Sequence, residues 1–251
     1  MTHALNTTRT VGILGGMGPA AGADFARLFV AACADHMRGC GIAVSDQAFP
    51  EHWLAQVPVP DRSSALGAPG FGAHQPLEPM LQAIGKLAAL GATTIAVACN
   101  TAHAWHGELQ QRFPQVEVLH VAREVARTLA ARGVRQVGLL ATAGTYSAGL
   151  YDQAFAHAGV QCHTPLAEER ERLMYGIYSG VKVGNMALAH SAFASVAEAL
   201  ARRHGLQTLV LGCTEIPLAL NALLGMPHLS LIDPAELLAQ ALAERAYRLI
   251  A

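Results

Sequence analysis

Short β-branched runs alternate with amphipathic helical segments along the whole chain, and that alternation points to parallel sheets covered by helices. Thr10–Leu14, Thr93–Ala98, Gln136–Leu140 and Thr208–Gly212 are uncharged and mainly apolar, the pattern of strands buried on both faces. Weaker strands are expected at Gly41–Ser45, Val116–Leu119 and Leu229–Ile232. The spacing predicts helices near Ala20–Ala34, Leu77–Leu90, Ala122–Arg132, Leu150–Ala158, Ala167–Tyr178, Met186–Arg203 and Pro234–Leu249. Gly91 and Gly133 stop two of them. Gly15-Gly16-Met17-Gly18-Pro19 breaks the first strand. Trp53–Gln75 is rich in proline and glycine (Pro58, Pro60, Gly67, Pro69, Gly70, Gly72) and reads as one long loop, of a length usually functional or mobile.

A weak internal repeat runs through this order. Val11-Gly12-Ile13-Leu14-Gly15 resembles Val137-Gly138-Leu139-Leu140-Ala141, and the run Thr94 to Cys99 resembles Thr208 to Cys213. Each half then holds one strand ending in a Gly/Thr-rich turn and a later strand ending in cysteine. Two such lobes facing each other would bring Cys99 and Cys213 toward one cleft. In open parallel sheets ligands bind beyond the carboxyl ends of the strands. A thiol at the start of the next helix meets unpaired N–H groups that favour its thiolate. Asn100, Thr101 and Thr214 place hydrogen-bonding side chains beside the two sulfurs. Cys33, Cys40 and Cys162 lack this context and read as structural. Five cysteines without framework spacing, and no secretion signal in Met1–Thr10, fit free thiols in a reducing cytoplasm.

Charge narrows the classes of function. Of 251 residues 52% are hydrophobic and only 14% charged, with a formal net charge of -1. Such a chain buries a large core, is not disordered, and offers no electrostatic basis for nucleic-acid binding. The uncharged stretch between Lys86 and Glu108 is long enough to cross a bilayer, but Gly91, Asn100, His103 and His106 interrupt it and its period changes, which excludes a membrane span. Cys99, His103 and His106 have helical spacing, yet no close pair of ligands completes a zinc site, so the histidines read as surface or helix-lining. Gly16-Met17-Gly18-Pro19-Ala20-Ala21 matches G-x-G-x-x-A, with Asp35 and Asp46 downstream, which keeps an NAD(P)-dependent oxidoreductase as the alternative. Pro19 removes an N–H where a pyrophosphate would sit, and this alternative leaves both cysteine turns unexplained. With so few charges, Arg62 in Pro60-Asp61-Arg62 and Lys182 in Gly180-Val181-Lys182 stand out as clamps for a carboxylate.

Taken together, Gly12 to Pro19, Pro60-Asp61-Arg62, Cys99-Asn100-Thr101-Ala102-His103, Leu140 to Thr145, Gly176-Ile177-Tyr178, Gly180-Val181-Lys182, Gly212-Cys213-Thr214-Glu215 and Leu231 to Pro234 resemble the cofactor-independent aspartate racemases of the aspartate/glutamate racemase superfamily. The resemblance implies an α/β fold of two pseudo-symmetric lobes, each a mainly parallel sheet flanked by helices, with the active site between them. By that analogy the N-terminal lobe is residues 1–115 plus 228–251 and the second lobe 116–227. It implies Cys99 and Cys213 as a paired acid and base, with no cofactor and no metal. Asn100, Thr101, Thr142, Thr145 and Thr214 would hold the α-carboxylate and amine, Met17 would lie near the substrate, and Arg62 and Lys182 would clamp an acidic side chain. A homodimer is implied as well. Met17 and Glu215 stand where the glutamate racemase branch tends to carry an acidic residue and a histidine, which favours aspartate. Relatives that act on glutamate, other amino acids or hydantoins supply the remaining alternatives.

Overall fold

The computed structural model describes residues 8–67, 75–220 and 226–248. Met1–Thr7, Pro69, Gly70, Gly72 and the Leu249 end of the last expected helix lie outside the described residues. The first half forms β1 (Val11–Gly15), α1 (Pro19–Gly39), β2 (His52–Gln56), α2 (Arg62–Gly67), α3 (Leu77–Ala89), β3 (Thr94–Val97), α4 (His106–Arg112) and β4 (Glu117–Val118). Then come α5 (Val121–Ala131), β5 (Gln136–Ala141), α6 (Ala143–Ser147), α7 (Asp152–Ala158), β6 (Gln161–His163) and α8 (Ala167–Tyr175). The chain closes with α9 (Met186–His204), β7 (Thr208–Gly212), α10 (Ile216–Ala219), β8 (Ser230–Ile232) and α11 (Pro234–Ala246).

The strands form two four-stranded parallel sheets, ordered β2-β1-β3-β4 and β6-β5-β7-β8. The two orders are the same in sequence terms, so the repeat read from the chain is a repeat of topology. All residues of β1, β3 and β7 are buried, because helices cover both faces of each sheet. Helix α1 buries Ala21, Phe25, Phe29, Cys33 and Met37, one face at a helical repeat, and Pro19 at its first turn loses no hydrogen bond there. That face packs with Val11, Ile13, Ala96 and Ala98 and with Leu238, Ala239 and Leu242 of α11. On the other face of the first sheet, Met80, Ile84 and Leu87 of α3 meet Leu14, Ile95 and Val97. The second sheet is covered by Phe193, Val196 and Leu200 of α9 on one side and by Val125, Leu129 and Phe155 of α5 and α7 on the other.

Local differences from the sequence reading have physical causes. Gly41–Ser45 is not a strand. Gly41 takes φ +70 and the Ile42 N–H returns to the Met37 carbonyl, so the segment is the exit turn of α1, and it has no buried face. The second strand instead lies at His52–Gln56, inside the segment expected as loop, where it pairs with β1 as an edge whose Trp53 and Leu54 stay exposed. An edge strand need not alternate, so its pattern is invisible in sequence. The same segment holds α2. Strand β6, Gln161-Cys162-His163, is also an edge, and its polar ends leave no apolar run to mark it. The helix expected through Tyr178 ends at Tyr175 and continues as a π-helical turn over Gly176–Gly180, a geometry frequent at functional sites. Among the described residues no helix is long and apolar enough to cross a membrane.

Candidate active site

The central strands end in matching turns. After β3 the Cys99 N–H bonds the Val97 carbonyl at 2.8 Å, and after β7 the Cys213 N–H bonds the Leu211 carbonyl at 2.8 Å. Each turn lifts a sulfur off the end of its strand. Each sulfur also accepts a backbone N–H, from Ala102 for Cys99 and from Glu215 for Cys213. Both cysteines are buried and free, and both line one narrow cavity of about 20 Å3 between the lobes. That volume admits one or two waters and no amino acid.

Met17, Arg62, Asn100, Thr101, Thr142, Lys182 and Thr214 line the same cavity. Thr145 stands behind the wall. Its hydroxyl bonds those of Thr101 and Thr142, both at 3.1 Å, and Thr101 and Thr142 are 2.8 Å apart, so three hydroxyls from two lobes close a ring. Thr142 also caps α6 by accepting the Thr145 N–H. Asn100 Oδ1 accepts the buried Tyr151 hydroxyl. Arg62 is buried at the start of α2, where Nη2 donates to the Met17 carbonyl at 2.6 Å and Nη1 to the Val59 and Pro60 carbonyls at 3.0 and 3.1 Å. Its Nε is buried with no acceptor in the protein. The guanidinium also reaches Cys99.

The spacing assigns no role to several residues that line the cavity. Asp61, Ser63, Ile177, Tyr178 and Glu215 all do so. The Tyr178 hydroxyl donates to Asp61 Oδ2 at 2.5 Å, and Asp61 Oδ1 accepts the Ser64 N–H at 2.7 Å, a bridge from the π turn of one lobe to α2 of the other. Burial works to raise the Asp61 carboxyl, but the bonds from Tyr178 and Ser64 and the charge of Arg62 hold it below its usual range. Glu215 is a buried carboxylate meeting four donors. Oε2 accepts from Cys213 Sγ at 3.0 Å and Thr214 Oγ1 at 3.3 Å, while Oε1 accepts the Gly18 N–H at 3.2 Å and lies 3.4 Å from Lys182 Nζ. Only a carboxylate next to a cysteine turn in a charge-poor chain hinted at this.

Burial pushes both thiols up. At Cys99 the Arg62 charge offsets part of that rise against a smaller contribution from Glu215, whereas at Cys213 the Glu215 charge and hydrogen bond both add to it. The glycine turn after β1 has a structural cause of its own. Gly16 sits at φ +94, and a Cβ there would come within 2.2 Å of the Val57 carbonyl oxygen, so only glycine lets the two chains pass. The Gly18 N–H, at the first turn of α1, is taken by Glu215, which fills the place a pyrophosphate would need in the oxidoreductase alternative. His103 and His106 are buried rather than on the surface. His103 Nδ1 bonds the Cys99 carbonyl at 2.9 Å and His106 Nε2 the Val118 carbonyl at 2.8 Å. Burial, and then the neighbouring imidazole, lowers His103 to about 4. Among the described residues no group of three or more metal-ligating side chains is assembled.

A family model described as Asp/Glu/Hydantoin racemase matches residues 14–242. The chain is 30% identical over 117 residues to an uncharacterized protein from the pnlA 3′ region of Pectobacterium carotovorum subsp. carotovorum, covering 47% of this chain and 76% of that one. It is 34% identical over 158 residues to a glutamate racemase of Desulforudis audaxviator, covering 61% of this chain and 55% of the relative. The chain thus spans about half the length of the glutamate racemases it matches, at 55% and 50%. Among solved structures, Picrophilus torridus aspartate racemase superposes with a TM-score of 0.76 at 28% identity over 96% of both chains.

Proposed function

The chain belongs to the Asp/Glu/hydantoin racemase family, and we propose that within it the protein interconverts L- and D-aspartate by a cofactor-independent, two-cysteine mechanism. The observation that carries this reading is the pair of buried thiols at equivalent ends of β3 and β7, facing one cavity with Arg62 and Lys182 in its wall. Racemisation removes the α-proton from one face and returns a proton to the other, so it needs two groups on opposite sides. One cysteine takes the proton as thiolate while the other, as thiol, gives one; the reverse direction exchanges their roles. Duplicate residues on pseudo-symmetric turns suit such a reaction.

Substrate class follows from the charged wall. The unpartnered Arg62 Nε is a buried donor without an acceptor, and such a group calls for one. A distal carboxylate would supply it, with Lys182 in the same cavity wall. The Thr101, Thr142 and Thr214 hydroxyls and the Asn100 side chain suit the α-carboxylate and amine. Exclusion of water from a cavity this tight strengthens each of these interactions on the carbanion side of the barrier. The similarity to the Picrophilus torridus aspartate racemase supports aspartate over glutamate. So does the presence of Met17 and Glu215 in the two turns. Incubation with L-aspartate in D2O should give α-deuterated aspartate of both hands. Absence of deuterium at Cα, with glutamate and the neutral amino acids inert as well, would overturn the reading. Exchange on glutamate alone would move the substrate while leaving the reaction in place.

A further inference from the structure

The two thiols stand in mirrored turns but in unequal electrostatic company. The cavity holds two cations and two carboxylates, Arg62, Lys182, Asp61 and Glu215. On the Cys99 side, Asp61 is turned toward Tyr178 and Ser64, and the guanidinium of Arg62 hydrogen-bonds the sulfur and outweighs the Glu215 charge, which also acts there without a hydrogen bond. On the Cys213 side the order is reversed. Glu215 stands between the sulfur and the ammonium: one oxygen accepts the thiol at 3.0 Å, the other lies 3.4 Å from Lys182 Nζ and 3.2 Å from the Gly18 N–H. Lys182 therefore neutralises Glu215 instead of attracting a thiolate at Cys213. A carboxylate that accepts a hydrogen bond from a thiol favours the protonated sulfur.

We infer that Glu215 is a positioning residue that gives the two cysteines different resting states, holding the proton on Cys213 and leaving Cys99 as the sulfur that ionises first. The inference rests on the racemase reading for its consequence. In the free protein one enantiomer meets a thiolate at Cys99 and a thiol at Cys213. The Cα–H proton passes to Cys99 sulfur, and the Cys213 S–H proton passes to the opposite face of Cα. The product leaves with Cys99 as thiol and Cys213 as thiolate. Loss of a proton from Cys99 to water and gain of one at Cys213 then restores the resting pair, with no net change. Glu215 sets the direction of that reset.

Thiol alkylation tests this without any turnover. The two cysteines are equally buried, at 6% and 4% exposure, so their relative rates read ionisation rather than access. The protein is treated with iodoacetamide between pH 7 and 10, and labelling of each cysteine is followed by peptide mass spectrometry. Cys99 should label with a lower midpoint pH than Cys213, and at least ten times faster at pH 8. In Glu215→Gln the Cys213 rate should rise at least fivefold and by a clearly larger factor than the Cys99 rate, because Cys213 loses a hydrogen-bonded carboxylate while Cys99 loses only a through-space repulsion. Cys33, fully buried beside α11, labels only on unfolding and reports whether the variant is folded. Equal midpoints in the unaltered protein, or faster Cys213, overturn the inference, and so does a folded Glu215→Gln whose Cys213 rate is unchanged. If the variant unfolds, the order in the unaltered protein decides. Failure of the deuterium test with this order intact would sink the racemase reading and leave the asymmetry standing.

Discussion

Arg62 shows how one side chain serves fold and site together. Its guanidinium ties the Met17 turn to the Val59-Pro60 segment through three carbonyl oxygens and still faces Cys99. Lysine carries a point charge on a thinner stem and cannot make this planar set of bonds. Arg62→Lys should leave carbonyls in the wall unsatisfied and lower stability by about 1–3 kcal/mol, read as a shift in the urea midpoint. It should also move Cys99 labelling to higher pH, because the fork that reached the sulfur is gone; an unshifted Cys99 profile would mean that the cation does not act on it. The prominence of Arg62, Lys182 and the two cysteines was legible in sequence because such residues are rare in a chain this apolar. Glu215 was not legible as a contact to Gly18, since a bond across 197 positions leaves no trace in spacing.

At the scale of elements, β1, β3, β5 and β7 are readable because central parallel strands must be apolar throughout. Of the four edge strands, β4 and β8 lie in short, mainly apolar runs and are readable as well, while β2 and β6 (His52–Gln56 and Gln161–His163) carry polar residues at both ends and are not. Helix starts are readable where a side chain caps them. Asp233 caps α11 by accepting the Ala235 N–H at 2.8 Å. Burial, reinforced by the nearby Glu236 and Asp24 carboxylates, pushes its carboxyl from 3.8 up to about 6. The folded protein therefore holds this proton at pH values where the unfolded chain has released it. Stability should fall as pH rises from about 4 to about 6 and level off above, by roughly 1–3 kcal/mol. Asparagine keeps the cap oxygen and cannot ionise. Asp233→Asn should thus be more stable than the unaltered protein at pH 7.5 and lose that advantage at pH 4.5. Urea denaturation at the two pH values checks it, and an equal difference at both would refute it.

For the molecule as a whole, the tightness of the cavity makes opening a condition of activity. An amino acid does not fit into about 20 Å3, so the proposed reaction requires the lobes to part. They meet across small side chains and hydrogen bonds rather than a shared apolar core at this edge. Gly144 lets α6 approach α2 so closely that a Cβ would fall 2.9 Å from the Ser63 Cα. The threonine ring and the Tyr151–Asn100 bond join the same two lobes, and the Tyr178–Asp61 bond crosses the exposed mouth. The mouth bond is the one that can be cut without touching either sulfur. Tyr178→Phe should therefore raise the open fraction, and with it the iodoacetamide rates of Cys99 and Cys213 by one common factor, roughly three- to tenfold for a bond worth about 1 kcal/mol. A change of opening reaches both thiols alike, whereas removing the Glu215 charge acts on Cys213 more than on Cys99. If Tyr178→Phe accelerates only one cysteine, its hydroxyl acts on that sulfur and the two lobes part elsewhere; if it accelerates neither, closure is held by Gly144 and the threonine ring.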